Sequence, residues 1–196
     1  MLFNKRGDDM PPKAKYTKEQ ILHIAYEFVR KEGIENLTAR NLAKELGTST
    51  APIFTAFKNI EELQEQVNKR ARELYSEYIK KGMEFDIPFK GTGLMYIRFA
   101  KDEPKLFKML FMRGNGNNSP SHYFPAGDNN EPAVRGTIED KYGLDKERAK
   151  KLYNHLSVYV HGIAVMYADG LCVFTDEDVS RMMSEIFMAL TKGEKI

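Results

Sequence analysis

The chain of 196 residues has one cysteine, Cys172, and four histidines. A lone cysteine excludes an internal disulfide and removes any need for an oxidising compartment. No apolar run approaches membrane-spanning length, and the opening MLFNKRGDDMPP lacks an apolar core of secretory length. A cytoplasmic protein with no membrane partner is therefore expected. Metal ligands are equally scarce. His155 and His161 lie six apart on one predicted helix, about 240° around it, so they do not chelate an ion from the same face. Cys172 has neither a histidine nor a second cysteine nearby. No metal and no cofactor are expected. The chain also lacks a spaced nucleophile–base pair, a phosphate-binding glycine motif and paired carboxylates. No catalytic residue is assigned, and an enzyme is not expected. Strand alternation and internal repeats are missing too, which leaves an all-α fold.

Charge is modest but uneven. Formal net charge is +2, yet residues 1–58 hold ten Lys or Arg against seven acids, net +3, and the remaining 138 are net −1. A mildly basic head on a neutral body suits a local phosphate contact rather than general adhesion to nucleic acid. An ordinary solvated surface would give the same imbalance, so charge is only supporting evidence.

Residues 1–15 carry Pro11, Pro12 and scattered charge without periodicity, and are expected to form a flexible arm. Residues 16–58 then divide into three short helices. Thr17 and Gln20 have capping-box spacing, and Tyr16 with Ile21 the spacing of a hydrophobic staple. Ile21, Ile24, Ala25, Phe28 and Val29 form the buried stripe, and Gly33 ends the helix. Thr38 caps the second helix, which turns Leu42, Ala43 and Leu46 inward. Gly47 supplies a left-handed position, Thr48 or Ser49 caps the third helix, and Pro52 falls in its first turn, where a missing N–H costs little. Ile53 and Phe57 face inward; Thr50 and Thr55 face outward, with Lys58 just past the end. Two helices joined by a tight glycine turn, the second with a small polar outer face, make a helix-turn-helix able to enter a major groove.

Residues 59–196 form a helical body. Asn59 caps a long helix with the stripe Leu63, Val67, Ala71, Leu74 and Tyr78 before Gly82. Helices follow near 88–101, 104–112 and 131–142, interrupted by a Gly/Asn/Ser/Pro loop at 113–130 of a length that is usually functional or disordered. Asp145 caps a helix to about Ala168 with Leu152, Leu156, Tyr159, Val160, Ile163 and Met166 apolar. Thr175 starts the last one, along which lie Val179, Met182, Met183, Ile186 and Leu190. The body holds eight of the ten Met residues and many aromatics. Such residues are usually core; adaptable Met beside aromatics also suits a pocket for a largely apolar ligand. Tyr96, Phe99, Phe107, Phe111, His155 and Tyr159 are the candidate pocket residues. His161 reads instead as a hydrogen-bonded packing residue.

From Thr17 to Leu63 the chain resembles the TetR/AcrR family of bacterial regulators: a capped first helix, LTARNLAKELG, then TSTAPIFTAFKNIEEL before a long helix. GLMYIRFAKDEPKLFKMLFM at 93–112 and VHGIAVMYADG at 160–170 resemble the ligand-binding half of the subgroup named for a Trp-His-Gly motif, here Val160-His161-Gly162. The resemblance implies a homodimer on a pseudo-palindromic double-stranded DNA operator, with a small-molecule effector bound in the body to release it. It places Thr38 and Arg40 at phosphate-contacting positions, and Thr48, Ser49, Thr50, Ala51 and Thr55 at base- or backbone-contacting ones; Lys58 is assigned to phosphate. Phe54 stands where the family often has Tyr, and Ile60 where it usually has Lys. A ligand-responsive repressor is the leading expectation. The alternative is a DNA-bound scaffold controlled by a protein partner, and a third reading is an enzyme or binding module that borrowed a three-helix head.

Overall fold

The structure, a computed structural model, describes residues 16–112, 131–171 and 174–192. All regular structure among them is helical: α1 (Lys18–Glu32), α2 (Ala39–Glu45), α3 (Ala51–Ala56), α4 (Ile60–Met83), α5 (Pro88–Asp102), α6 (Pro104–Phe111), α7 (Glu131–Tyr142), α8 (Lys146–Ala168) and α9 (Asp176–Lys192), with one 3₁₀ turn at Ile34–Asn36. The all-α expectation is met. The arm 1–15, the loop 113–130, His122 and Cys172 lie outside the described residues. No helix among the described residues is long and apolar enough to cross a membrane, and no cluster of His, Cys, Asp or Glu there could hold a metal ion.

Helix starts follow local chemistry. The Thr17 hydroxyl accepts from the Gln20 N–H at 3.2 Å while the Gln20 side chain accepts from the Thr17 N–H at 2.8 Å, closing the capping box. Asn59 accepts from the Glu62 N–H at 2.8 Å, and Asp145 accepts from Glu147 and Arg148. Thr175 and Asp178 cap each other before α9. These side chains occupy donors that the first turn of any helix leaves unpaired.

Helices α1, α2 and α3 pack around Ile21, Ala25, Val29, Leu42, Ile53 and Phe57. From this cluster α4 runs on for 24 residues and lies along α5. Its buried line is Leu63, Val67, Ala71, Tyr75 and Ile79, a strict four-residue step. Leu74 and Tyr78, expected in that line, are only half-buried on its flank. Gly82 also differs from expectation. It does not end α4 but is buried within the last turn, where a Cβ would sit 2.6 Å from the Thr92 Cα. Gly82 therefore allows α4 and α5 to touch backbone to backbone.

Helix α8 packs on α5, with α7 and α9 against its sides. Leu152, Leu156, Val160 and Ile163 are buried as the stripe predicts, while Tyr159 is half-buried and Met166 exposed. Along α9, Val179 and Met183 are buried and Met182, Ile186 and Leu190 half-buried.

Candidate nucleic-acid interface and body cavity

The turn between α2 and α3 is set by hydrogen bonds closing on Gly47. This residue has φ +60°. Its N–H donates to the Lys44 carbonyl at 3.1 Å, and the Thr48 N–H reaches back to Ala43 at 3.0 Å. That pair of bonds is a Schellman closure, which satisfies carbonyls the helix end leaves open. It also corrects the expected cap of α3. Thr48 belongs to the closure, Thr50 is the cap residue, and no side-chain cap bond forms. Thr50 is helical (φ −75°, ψ −12°) rather than extended, Pro52 has no N–H to donate, and the Ile53 N–H is taken by the Thr50 carbonyl at 3.1 Å. Ser49 accepts only a long 3.4 Å bond from Ala51.

The rest of the predicted DNA-contacting set is placed as follows. Thr38 caps α2 by accepting from Asn41 at 3.1 Å, and both Thr38 and Arg40 are exposed. Ser49, Ala51, Thr55 and Lys58 are exposed, Thr48 and Thr50 half-buried, and Ile53 and Phe57 buried beneath them. The Thr55 hydroxyl donates to the Ala51 carbonyl at 2.9 Å. Lys58 donates its backbone N–H to Glu62 at 2.7 Å. The other Glu62 oxygen holds the Lys18 ammonium at 2.8 Å, and that ammonium also lies 4.6 Å from the Phe57 ring centre. Lys18 and the backbone of Lys58 hold the Glu62 carboxyl below its ordinary range. Among the described residues, neither Arg40 nor the Lys58 side chain forms an ion pair, so both cations remain available to phosphate.

In the body, Tyr96, Phe99, Phe107 and Phe111 come together with Tyr75. Ring centres lie 5.4 Å apart for Tyr96–Phe107, 5.2 Å for Tyr96–Phe111 and 4.9 Å for Tyr75–Phe111. All four predicted residues are buried. His155 and Tyr159 do not join them. His155 is exposed in a surface groove on α8 beside Lys150, Lys151 and Val158, and Tyr159 packs at the core's edge. Three residues after Val158, His161 turns inward, with Nδ1 2.9 Å from the Tyr96 hydroxyl. Burial pushes its pKa down, because a desolvated imidazolium is costly.

A cavity of about 40 Å³ adjoins the aromatic cluster, bounded by Tyr75, Gly93, Tyr96, Tyr153, Ser157 and Met183 among others. Its polar groups are hydroxyls, and no charged residue lines it. The space suits a few waters and is well short of the roughly 300–1,000 Å³ of ordinary ligand sites. A Cβ on Gly93 would lie 2.5 Å from the Met183 Cε, so Met183 fills space that this glycine leaves. A wider open groove of about 440 Å³ runs along Tyr78, Phe85, Leu94, Arg98 and Lys101. Two of its three cations are paired, Arg98 with Asp102 at 2.8 Å and Lys101 with Asp176 at 3.2 Å, and the third, Lys81, lies 5.8 Å from the Tyr78 ring centre. Burial, and the hydrogen bond to Asp102, push the Tyr78 hydroxyl up to about 12.

One link was not legible in the sequence. Arg30, in the last turn of α1, forks onto Glu103 at the α5–α6 elbow, Nε to Oε2 at 2.9 Å and Nη2 to Oε1. Its Nη1 also reaches both oxygens of Glu27 at 3.1 Å. Glu103 is the only buried acid among the described residues. Its place between two helices in Lys101-Asp102-Glu103-Pro104 gave no periodic signal.

No known protein-family profile matches the chain. Over 185 residues, 92% of this chain and 82% of the other, it is 23% identical to a Mycobacterium tuberculosis protein described as an uncharacterized HTH-type transcriptional regulator.

Proposed function

We propose that this chain is a transcription regulator of the TetR/AcrR type. Residues 16–58 form a DNA-binding head and residues 59–196 a body for dimerisation and effector binding. Two copies occupy a pseudo-palindromic operator, since two-fold protein symmetry calls for two-fold sites. The carrying observation is the glycine-closed α2–α3 unit, which leaves the outer face of α3 exposed, with Arg40 on α2 and Lys58 just past α3 both exposed and without an ion pair among the described residues. Thr38, Arg40 and Lys58 contact phosphates; Thr48, Ser49, Thr50, Ala51 and Thr55 meet the groove. The exposed side chains Val158, Met166 and Met188 on α8 and α9 supply the dimer seam.

The effector enters beside Tyr96 by displacing Met183. The uncharged lining calls for a largely apolar, neutral molecule, and its binding releases the operator. Phe99, Phe107 and Phe111 support the cavity wall. His155 and Tyr159 take no part in it. A second reading has one observation in its favour. The core is almost filled, while Phe85 and Ile87 are exposed, Phe85 in the open groove that Tyr167 and Val179 also line, as a scaffold for a protein partner would require.

The test uses the full chain, an operator selected from random duplexes, and Nile red as a neutral apolar probe. Saturable probe binding that operator DNA weakens, by the same factor as the probe weakens DNA binding, supports the effector reading. Operator binding without saturable probe binding favours the scaffold. Failure to enrich any duplex refutes both.

A further inference from the structure

The outward face of α3 is less polar than its threonines suggest. Phe54 is 49% exposed and stands outside the packed core. Ala51 and Thr55, its neighbours on that face, are also exposed. The Thr55 hydroxyl spends its proton on the Ala51 carbonyl at 2.9 Å. It therefore has no donor left for a base edge without breaking a bond within the helix. The six residues of α3, Ala51 to Ala56, include no Arg, Lys, Asn, Gln, Asp or Glu. Bidentate contacts to guanine or adenine need those side chains. What this helix presents instead is a phenyl ring, a methyl and a methyl-bearing threonine. In the major groove the apolar feature that differs between bases is the thymine 5-methyl group.

We propose that Phe54, with Ala51 and Thr55 beside it, reads thymine methyl groups. Discrimination at the centre of each half-site then rests on apolar contact rather than on a base hydrogen-bonding edge. This inference depends on the DNA-binding reading above and adds to it the chemistry of the recognised base. Thr50 retains a hydroxyl for a polar contact at the helix start, while Arg40 and Lys58 anchor the phosphates on either side.

The test selects an operator with the full chain, then replaces each thymidine singly by deoxyuridine. That change removes only the methyl and keeps every pairing and groove hydrogen-bonding group. Affinity is read by fluorescence anisotropy at fixed salt. With wild type, one or more positions in each half-site lose about four-fold per methyl removed, the worth of one buried carbon group. Phe54→Ala abolishes that sensitivity at those positions, and Phe54→Leu retains part of it. Circular dichroism confirms that both variants fold, as an exposed position should allow. The proposal falls if no thymidine shows a methyl effect, or if Phe54→Ala keeps the full effect. A uniform loss in Phe54→Ala with no methyl-dependent position means the ring packs on deoxyribose, and also overturns it. Failure to enrich any duplex removes the DNA-binding reading itself.

Discussion

Removing the Arg30–Glu103 fork should cost stability unequally from its two ends. Glu103 is 8% exposed, whereas the Arg30 side chain keeps 37% of its surface in water and a second acid, Glu27. Glu103→Gln keeps the shape and one acceptor, and leaves Arg30 with Glu27 and solvent. Its cost should be about 1–2 kcal/mol, below the ceiling for charge-assisted bonds because half the pair is wet. Arg30→Ala strands a buried carboxylate. Its cost should be about 2–3 kcal/mol, under the 3–5 of a fully buried pair. The double variant should be less destabilised than the sum of the two, by about 1 kcal/mol or more. Urea denaturation of all four proteins measures this directly. Since the fork ties α1 to the α5–α6 elbow, Glu103→Gln should also reduce the coupling between Nile red and operator more than it reduces operator affinity. A coupling energy within the roughly 0.3–0.5 kcal/mol scatter of independent sites would refute the reasoning.

Met166→Glu, on the exposed side of α8, should leave the melting temperature of the protomer nearly unchanged but shift light scattering toward monomer. Met183→Glu, aimed at the buried cavity wall, should instead unfold the chain. Gly82→Ala should cost at least about 1–3 kcal/mol in thermal or urea melts, because its Cβ has only the rigid backbone of α5 to push against. His161 should make the protein less stable in mild acid. Its folded pKa is lowered, so below about 6.5 the unfolded chain binds a proton that the fold resists. Stability is complete above that pH and falls as pH drops towards the folded value. The melting temperature of wild type relative to His161→Gln should decline between pH 7.5 and 5, and a constant difference would contradict the burial argument.

What could be read from the sequence was mostly local. Thr17, Thr38, Asn59 and Asp145 cap their helices because a short side chain beside an unpaired N–H decides the matter within four residues. The turn at Gly47 was legible for the same reason. The cap of α3 was not, because a missing donor on Pro52 and a Schellman closure behind it outweighed the preferences of Thr48 and Ser49. Gly82 carried an ambiguous signal: glycine ends helices and also lets backbones approach, and only the presence of α5 selects the second. Leu74 and Tyr78 lost their predicted burial to Tyr75 and Ile79 because the line α4 buries depends on the path of its neighbour. The six-residue spacing of His155 and His161 did predict different faces, and His161 is a hydrogen-bonded packing residue as expected, its partner being Tyr96. The aromatic cluster was visible as composition. Whether its rings enclose a ligand or close on one another is a packing outcome that periodicity does not encode.

These contacts constrain how a body could act on a head. Helix α1 is tied at both ends. Its start meets α4 through Lys18 and Glu62, and its end meets the α5–α6 elbow through Arg30 and Glu103. The first pair is largely solvent-exposed and the second is half-buried and forked, so the Arg30 end is the firmer of the two. Helix α5 supplies both the cavity wall, at Gly93 and Tyr96, and the elbow ending at Glu103. Its backbone contact with Gly82 prevents it from sliding freely over α4. Under the proposed switch, a molecule that pushes Met183 off Gly93 therefore transmits strain along α5 to Arg30 and rotates the three-helix head about that point. A hundredfold loss of operator affinity needs about 2.7 kcal/mol of coupling. The fork, with a coupling of about 1 kcal/mol or more, supplies part of that energy, and the packing of α1 on α4 and α6 must supply the rest.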